Sequence, residues 1–286
     1  MNEYQKKIIE DCSIFRPNPK YGTYPPYHNG LYLEDLFFET YMNSEKKPEN
    51  KYYIPIFWTT VYIESVGNPQ NYLDTLDPNL EYFTVSQHDD AVIERLPKNT
   101  TVYSAGGNRG NIPIPLVCTE IPENYLNKEH NKDILASFVG SVTHSIRESI
   151  VRLYSTDSDF LIKSKGWDIN VNREEFEYFF EITNRSKFTL CPRGYGRTSF
   201  RLYETFQLNS VPVYVSDEFW LPFTDKINWE EICVLVRSHE IGSLKEKLLS
   251  ISDEKYSKML ETGKKVWSEF FQINKMCEKL LLEIQN

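Results

Sequence analysis

Residues Lys187 to Phe223 read KFTLCPRGYGRTSFRLYETFQLNSVPVYVSDEFWLPF, and the fold is decided by how that stretch is read. Lys187–Cys191 is a short β-like run, and Pro192–Arg197 is a glycine-containing turn with two arginines. Thr198–Leu208 has helical composition, free of glycine and proline. Val211–Val215 is a second apolar strand. Strand, glycine loop, helix and strand make a βαβ unit. Such a unit holds phosphate where loop meets helix, because unbonded N–H groups and the positive helix end face an anion there. Gly194 and Gly196, on either side of Tyr195, allow close backbone approach. Thr198 or Ser199 is placed to cap the helix.

Arg193, Arg197 and Arg201 gather positive charge around that point. On a helix, Arg197, Arg201 and Glu204 fall at i, i+4 and i+7 and share one face. Two accounts stay open at this level. One is an internal Arg201–Glu204 ion pair at i, i+3. The other sets the arginines on a diphosphate and Glu204 on a ribose diol, since one carboxylate accepts from two hydroxyls.

The surrounding chain narrows the class. It has 286 residues, enough for one large domain or two medium ones, with 40% apolar and 26% charged residues, which is a globular composition. A net charge of −9 argues against a nucleic-acid partner, and a local basic patch in an acidic chain suits a small anionic ligand. The 19 Tyr, 17 Phe and 5 Trp read mainly as core, with Phe219, Trp220 and the Tyr21–Tyr27 cluster left as candidate sugar-stacking groups. Cys12, Cys118, Cys191, Cys233 and Cys277 are scattered, with no C-x-x-C, so they read as buried hydrophobes in a reducing compartment. Residues 1–20 carry no apolar leader, and no apolar run approaches the ~20 residues of a membrane span.

Before residue 134 the chain reads as short strands among irregular loops, with candidates at Tyr52–Trp58, Tyr82–Ser86 and Thr101–Ala105. After it, strands and helices alternate. Ile134–Val139 is a strand broken by Gly140, and His144–Tyr154 and Asn172–Thr183 are helices. The βαβ unit follows, then a strand at Ile232–Val236 and three helical stretches. Alternation predicts a parallel, doubly wound sheet. The boundary is expected in the irregular Cys118–Asp133 stretch. That gives a domain over 1–130, rejoined by the last helix over 266–286, and a second over 131–265.

Candidate catalytic groups sit at strand ends. His88, Asp89 and Asp90 follow Tyr82–Ser86, where catalytic groups gather in open α/β sheets. Asp89 is the candidate base or the partner that orients His88; the bland account is an Asp-rich N-cap for a helix over Ala91–Leu96. Asp217 and Glu218, after Val211–Val215, are candidates for donor-sugar hydroxyls or plain loop residues. His28 is a candidate on the acceptor side, and His144 reads as structural or ligand-orienting. Asp157-Ser-Asp159, the lone D-x-D, lies after a helix and reads as a solvated turn, so no metal site is expected.

CPRGYGRTSFRLYE, then VPVYVSDEFWLPF and Trp229, resembles the signature of exostosin-like glycosyltransferases. Phe138-Val-Gly140 with Ile146-Arg147 resembles the family's F-x-G…I-R element, Asn111-Ile-Pro-Ile-Pro115 its I-P element, and His88-Asp89 its His-Asp pair. The resemblance spans about residues 80 to 240. Asn209-Ser210 replaces the Gly-Cys often found there, which changes a helix C-cap and no chemical group. The resemblance implies a GT-B fold of two Rossmann-like domains facing a cleft and an inverting transfer from a UDP-sugar to a glycan hydroxyl. It places the leaving diphosphate on Arg147, Arg193, Arg197 and Arg201, beside Gly140. It implies no cofactor beyond the nucleotide-sugar donor. Small soluble members of algal viruses are similar β-xylosyltransferases, so xylose and a cytoplasmic setting (the host's, if viral) are expected. A GDP-fucose-dependent enzyme and a non-catalytic glycan or nucleotide binder are the alternatives.

Overall fold

The structure is a computed structural model, and it describes residues 1–18, 31–118, 120–126, 130–168 and 172–285. His28 and the Tyr21–Tyr27 cluster lie outside the described residues. The chain divides into two compact units. One takes in the described residues up to Val117 and those from Ile273; the other runs Cys118–Gln272. The division thus comes earlier than position 130, and the chain rejoins the first unit later than position 266.

The first unit contains helix α1 (Glu3–Asp11), α2 (Leu33–Asn43), strand β1 (Tyr52–Tyr53), α3 (Trp58–Glu64), α4 (Gln70–Leu73), β2 (Tyr82–Ser86), β3 (Thr100–Ser104) and β4 (Ile112–Pro113). Its strands are all parallel, in the order β1-β2-β3-β4. Every residue of β2 is buried, as a strand covered on both faces must be. Phe37, Tyr41, Tyr53 and Phe83 pack ring to ring, with Tyr53 stacked on Phe83 at 4.9 Å. The aromatic surplus here is core. The expected strand over Tyr52–Trp58 is cut to two residues: Ile54 N–H still bonds Phe83 O at 2.9 Å, Ile56 and Phe57 are buried beyond the sheet, and Trp58 opens α3.

The second unit contains α5 (Glu123–Leu126), β5 (Ile134–Ser141), α6 (Ser145–Tyr154), β6 (Phe160–Lys165), α7 (Arg173–Arg185), β7 (Ser186–Pro192), α8 (Phe200–Phe206), β8 (Val211–Ser216), β9 (Val234–Arg237), α9 (Leu244–Leu249) and α10 (Asp253–Val266). Its five parallel strands run in the order β6-β5-β7-β8-β9. Strand order reverses between β5 and β7. The carboxyl ends of these two strands therefore diverge and leave a crevice, which is where ligands lodge in such sheets. Ala136, Phe138, Phe188, Leu190, Val211, Val213 and Val215 fill the sheet's core. A helix over Ile273–Gln285, α11, closes the chain and packs on α2 of the first unit, burying Met276, Cys277, Leu280, Leu281 and Ile284.

Both units are α/β with parallel sheets, the fold class expected of a GT-B chain. Two corrections concern the second. Gly140 does not break β5, because Gly140 and Ser141 pair with Ser164 and Lys165. Those partners belong to β6, a strand the sequence reading lacked. All five cysteines are buried and unpaired. No described helix is long and apolar enough to cross a membrane.

Candidate functional site

The carboxyl ends of β5, β7 and β8 bring together most of the donor-site candidates. Ser199 is extended (φ −148°, ψ 135°), so α8 begins at Phe200 and not at Thr198. Arg197 is accordingly a loop residue and does not share a helix face with Arg201 and Glu204, contrary to the i, i+4, i+7 expectation. Ser199 occupies the cap position without a side-chain bond. The Thr198 hydroxyl is buried without a partner. The loop is tied down by backbone bonds from Arg193 N–H to Val215 O (3.0 Å) and from Gly194 N–H to Thr198 O (3.1 Å). The Tyr214 hydroxyl donates to Arg197 O.

Each arginine has defined partners. Arg147 reaches across the crevice: Nε donates to Arg193 O (3.0 Å), Nη1 to Ser141 O (2.8 Å) and Nη2 to Pro192 O (3.0 Å). Expected on the diphosphate, its guanidinium instead clasps the diverging ends of β5 and β7. A Cβ at Gly194 would lie 3.2 Å from Arg147 Nη2, so a larger residue there would make the guanidinium give by a few tenths of an ångström. Arg193 is a tenth exposed, pairs with Asp217 Oδ1 at 2.7 Å and donates from Nη2 to Tyr195 O at 2.8 Å. Arg197 pairs with Glu218 Oε2 at 3.1 Å and lies 5.4 Å from the centre of the Trp220 ring. Arg201 donates from Nε to Val139 O (3.0 Å), stacks on Phe179 at 3.8 Å and pairs with Glu204.

Glu204, the candidate for the ribose diol, is ion-paired. Its side chain is 2% exposed and bonded to Arg201. A ribose contact needs an open carboxylate, so the i, i+3 ion pair is the account the geometry supports. Asp217 and Glu218 are exposed at the end of β8 and face the arginines. Burial acts to raise the pKa of Asp217, but the hydrogen bond and charge of Arg193 outweigh it and hold the carboxyl below its usual range. His144 caps α6, accepting from Ile146 N–H at Nδ1 (3.2 Å). Burial, then the charge of Arg193, lowers its pKa, with Asp217 opposing. Imidazole is thus neutral at physiological pH and carries its proton on Nε2.

Sequence reasoning missed Arg237, Phe179 and Tyr214. Arg237 covers the Phe219 ring at 3.8 Å and donates to Asp217 O at 3.1 Å. Their only signal was alternation along strand and helix, which marks burial and not contact with a charged loop. Asp157 and Asp159 are each bonded by Lys245 Nζ at 2.8 Å, ahead of β6 and so at the amino end of the sheet. The D-x-D is an ion-paired turn.

In the first unit, His88, Asp89 and Asp90 form a tight turn after β2. No helix follows, because Ala91 has φ 57°, in the left-handed region, and its N–H closes the turn on His88 O at 2.9 Å. The N-cap account therefore falls. The turn rests on the one after β3: Asn108 N–H donates to Asp89 O (3.1 Å) and Asn108 Nδ2 to Asp90 Oδ1 (3.2 Å). Gly106 is obligatory, since a Cβ would lie 2.2 Å from Asp89 Cα. His88 accepts from Asp90 N–H at Nδ1 (3.2 Å) and meets Tyr62 edge-on. Burial lowers its pKa, with Asp90 opposing.

A five-stranded parallel sheet with basic loops at its strand-order reversal defines an α/β protein of the doubly wound class. Comparison places it further: the exostosin GT47 domain matches residues 76–251, and the chain belongs to that family. It is 28% identical over 222 residues to a probable glycosyltransferase of Arabidopsis thaliana, covering 72% of this chain and 46% of that protein. It is 23% identical over 263 residues to the exostosin-1 homolog of Caenorhabditis elegans, covering 77% and 69%. A 76-residue stretch is 40% identical to a probable beta-1,4-xylosyltransferase of Arabidopsis thaliana, covering 27% of this chain and 18% of that one. The chain thus spans less than half the length of the first of these relatives. Among solved structures, WaaG, a glycosyltransferase involved in lipopolysaccharide biosynthesis, aligns over 87% of this chain and 80% of its own, at 11% identity and a TM-score of 0.39.

Proposed function

We propose that this chain transfers a sugar, with inversion, from a UDP-sugar to a hydroxyl of a glycan acceptor. The observation that carries the reading is the pair of anchored guanidiniums, Arg193 and Arg197, in the loop that leaves β7 and meets the loop after β8, in a chain of net charge −9. A leaving nucleoside diphosphate needs positive charge placed in advance, and two anchored guanidiniums supply it without a metal. Gly194, Tyr195 and Gly196 bring the backbone up to the same point, and Arg201, held by Glu204, supports it from α8. Family membership and the relatives named as glycosyltransferases favour the same reading. Xylose is the first sugar to test, given the relative named as a xylosyltransferase. A cytoplasmic setting fits the unpaired cysteines.

Inversion requires a base for the acceptor proton. Neutral His88, with Nδ1 accepting from Asp90 N–H, carries its proton on Nε2 and offers no lone pair there. Asp90 accepts from Asn108. We keep Asp89 as the first candidate for the base, with Asp90 next, and His88 as a group that orients the turn or the acceptor.

The test is UDP release from UDP-xylose, UDP-glucuronate, UDP-galactose and UDP-arabinose, with and without EDTA. Release from one donor in EDTA is expected, with Arg193→Ala slowing it roughly a hundredfold. Turnover of GDP-fucose alone, or nucleotide binding with no release, selects the alternatives; loss in EDTA with recovery in Mn²⁺ overturns the metal-free mechanism.

A further inference from the structure

The loops after β7 and β8 are joined by two ion pairs in sequence register, Arg193–Asp217 at 2.7 Å and Arg197–Glu218 at 3.1 Å. The two sides of each pair differ. The cations are anchored: Arg193 also donates to Gly194 O and Tyr195 O, and Arg197 lies over Trp220. The acids project into solvent, with side chains 50% and 62% exposed. Their backbone has further anchors, since Arg237 donates to Asp217 O and the Ser216 hydroxyl to Glu218 O. Asp217 Oδ1 also accepts from Glu218 N–H at 3.1 Å and from the Ser216 hydroxyl at 3.4 Å, so it gives up local bonds as well as its ion pair when displaced, whereas the more exposed Glu218 carboxylate can swing away while the arginines stay in place.

We infer that Asp217 and Glu218 act as resident stand-ins for the donor's diphosphate: they neutralise Arg193 and Arg197 in the empty protein and are displaced when the nucleotide binds. This rests on the nucleotide-sugar reading above. The chemistry is anion exchange. A diphosphate spreads its charge over enough oxygens to meet both guanidiniums, and each bond it makes replaces one to a carboxylate. The competition lowers affinity for the nucleotide and so favours the departure of spent UDP, a step that often limits turnover. It also keeps Arg193, whose side chain is 10% exposed, paired between cycles, since a nearly buried cation without a partner is costly.

The test is calorimetric titration of the whole chain with UDP and with uridine. Asp217→Asn and Glu218→Gln remove charge while keeping shape and a hydrogen-bond acceptor. Each should bind UDP about threefold tighter, the scale of a partly exposed ion pair, and the double variant about tenfold tighter. Uridine, which has no phosphate to exchange, should bind all forms alike. Unchanged or weaker UDP binding by the variants, with the wild type binding UDP, overturns the exchange and leaves the nucleotide reading standing. No UDP binding by any form overturns both. If the double variant does not fold, Glu218→Gln alone, on the more exposed pair, decides the sign.

Discussion

Glu34, at the start of α2, is fully buried. Its Oε1 accepts from Thr59 N–H (3.0 Å), the Thr59 hydroxyl (2.7 Å) and Gln87 N–H (3.1 Å), while Oε2 has no partner. Burial raises its pKa against those bonds. Its neighbour Asp35 is pushed up to about 7, by burial first and then by the charge of Glu34. A carboxyl whose folded pKa exceeds its unfolded value binds its proton more tightly in the native state. The stability this gives is whole below the unfolded value, 3.8 for Asp35, and is lost as pH rises through about 7. Asp35→Asn keeps the acceptor for Tyr32 N–H and removes the titration. It should raise Tm at pH 7 relative to wild type, by on the order of 2 kcal/mol of stability, and leave Tm at pH 4 nearly alone. Equal Tm differences at both pH values would show that Asp35 is ionised throughout. At the same scale, Glu204→Gln tests the buried pair: loss of about 3 kcal/mol in denaturant unfolding with UDP affinity unchanged is expected. Intact stability with weakened UDP binding would return Glu204 to the ribose. The sequence spacing of Arg201 and Glu204 allowed both roles; only burial separates them, and burial belongs to the assembled sheet.

At the scale of elements, β2, β7 and β8 were legible within a residue or two, because fully buried parallel strands are continuous apolar runs bounded by turn residues. β6 was not. As an edge strand it needs only one neighbour, and Phe160-Leu-Ile-Lys-Ser-Lys is half polar. The early start expected for α8 has a similar cause: Thr198 and Ser199 suit a cap or an extended loop equally, and the bonds from Gly194 and Tyr214 settle it. The turn after β2 offers the sharpest test at this scale. Gly106→Ala forces a Cβ against the Asp89 backbone, so the His88–Asp90 turn must move. Like Asp89→Asn, which removes the proton acceptor without changing shape, it should abolish transfer to a glycan while UDP binding to the second unit stays within about twofold. Wild-type transfer by Asp89→Asn would move the base to Asp90 or His88. Loss of UDP binding by either variant would show that the first unit shapes the nucleotide site.

Over the whole molecule, two α/β units divide the chain, and the donor-site candidates fall in one of them. Arg147, Arg193, Arg197, Asp217 and Glu218 come from three separate strand ends, and the order β6-β5-β7-β8-β9 is what gathers them. That gathering was foreseeable from the βαβ alternation, whereas the bonds of Arg147 to Pro192, Arg193 to Asp217 and Arg197 to Glu218 were not, since partners 20 or more residues away depend on strand order. The central claim is that a nucleoside diphosphate binds at the reversal between β5 and β7. Amide hydrogen exchange with and without saturating UDP tests it most directly, because a bound ligand slows exchange in the segments it orders. Protection should appear in residues 141–147, 193–199 and 217–220. Protection confined to the amino end of the same sheet, around Leu135, Lys187 and Tyr256, or no protection at saturating UDP, would contradict it.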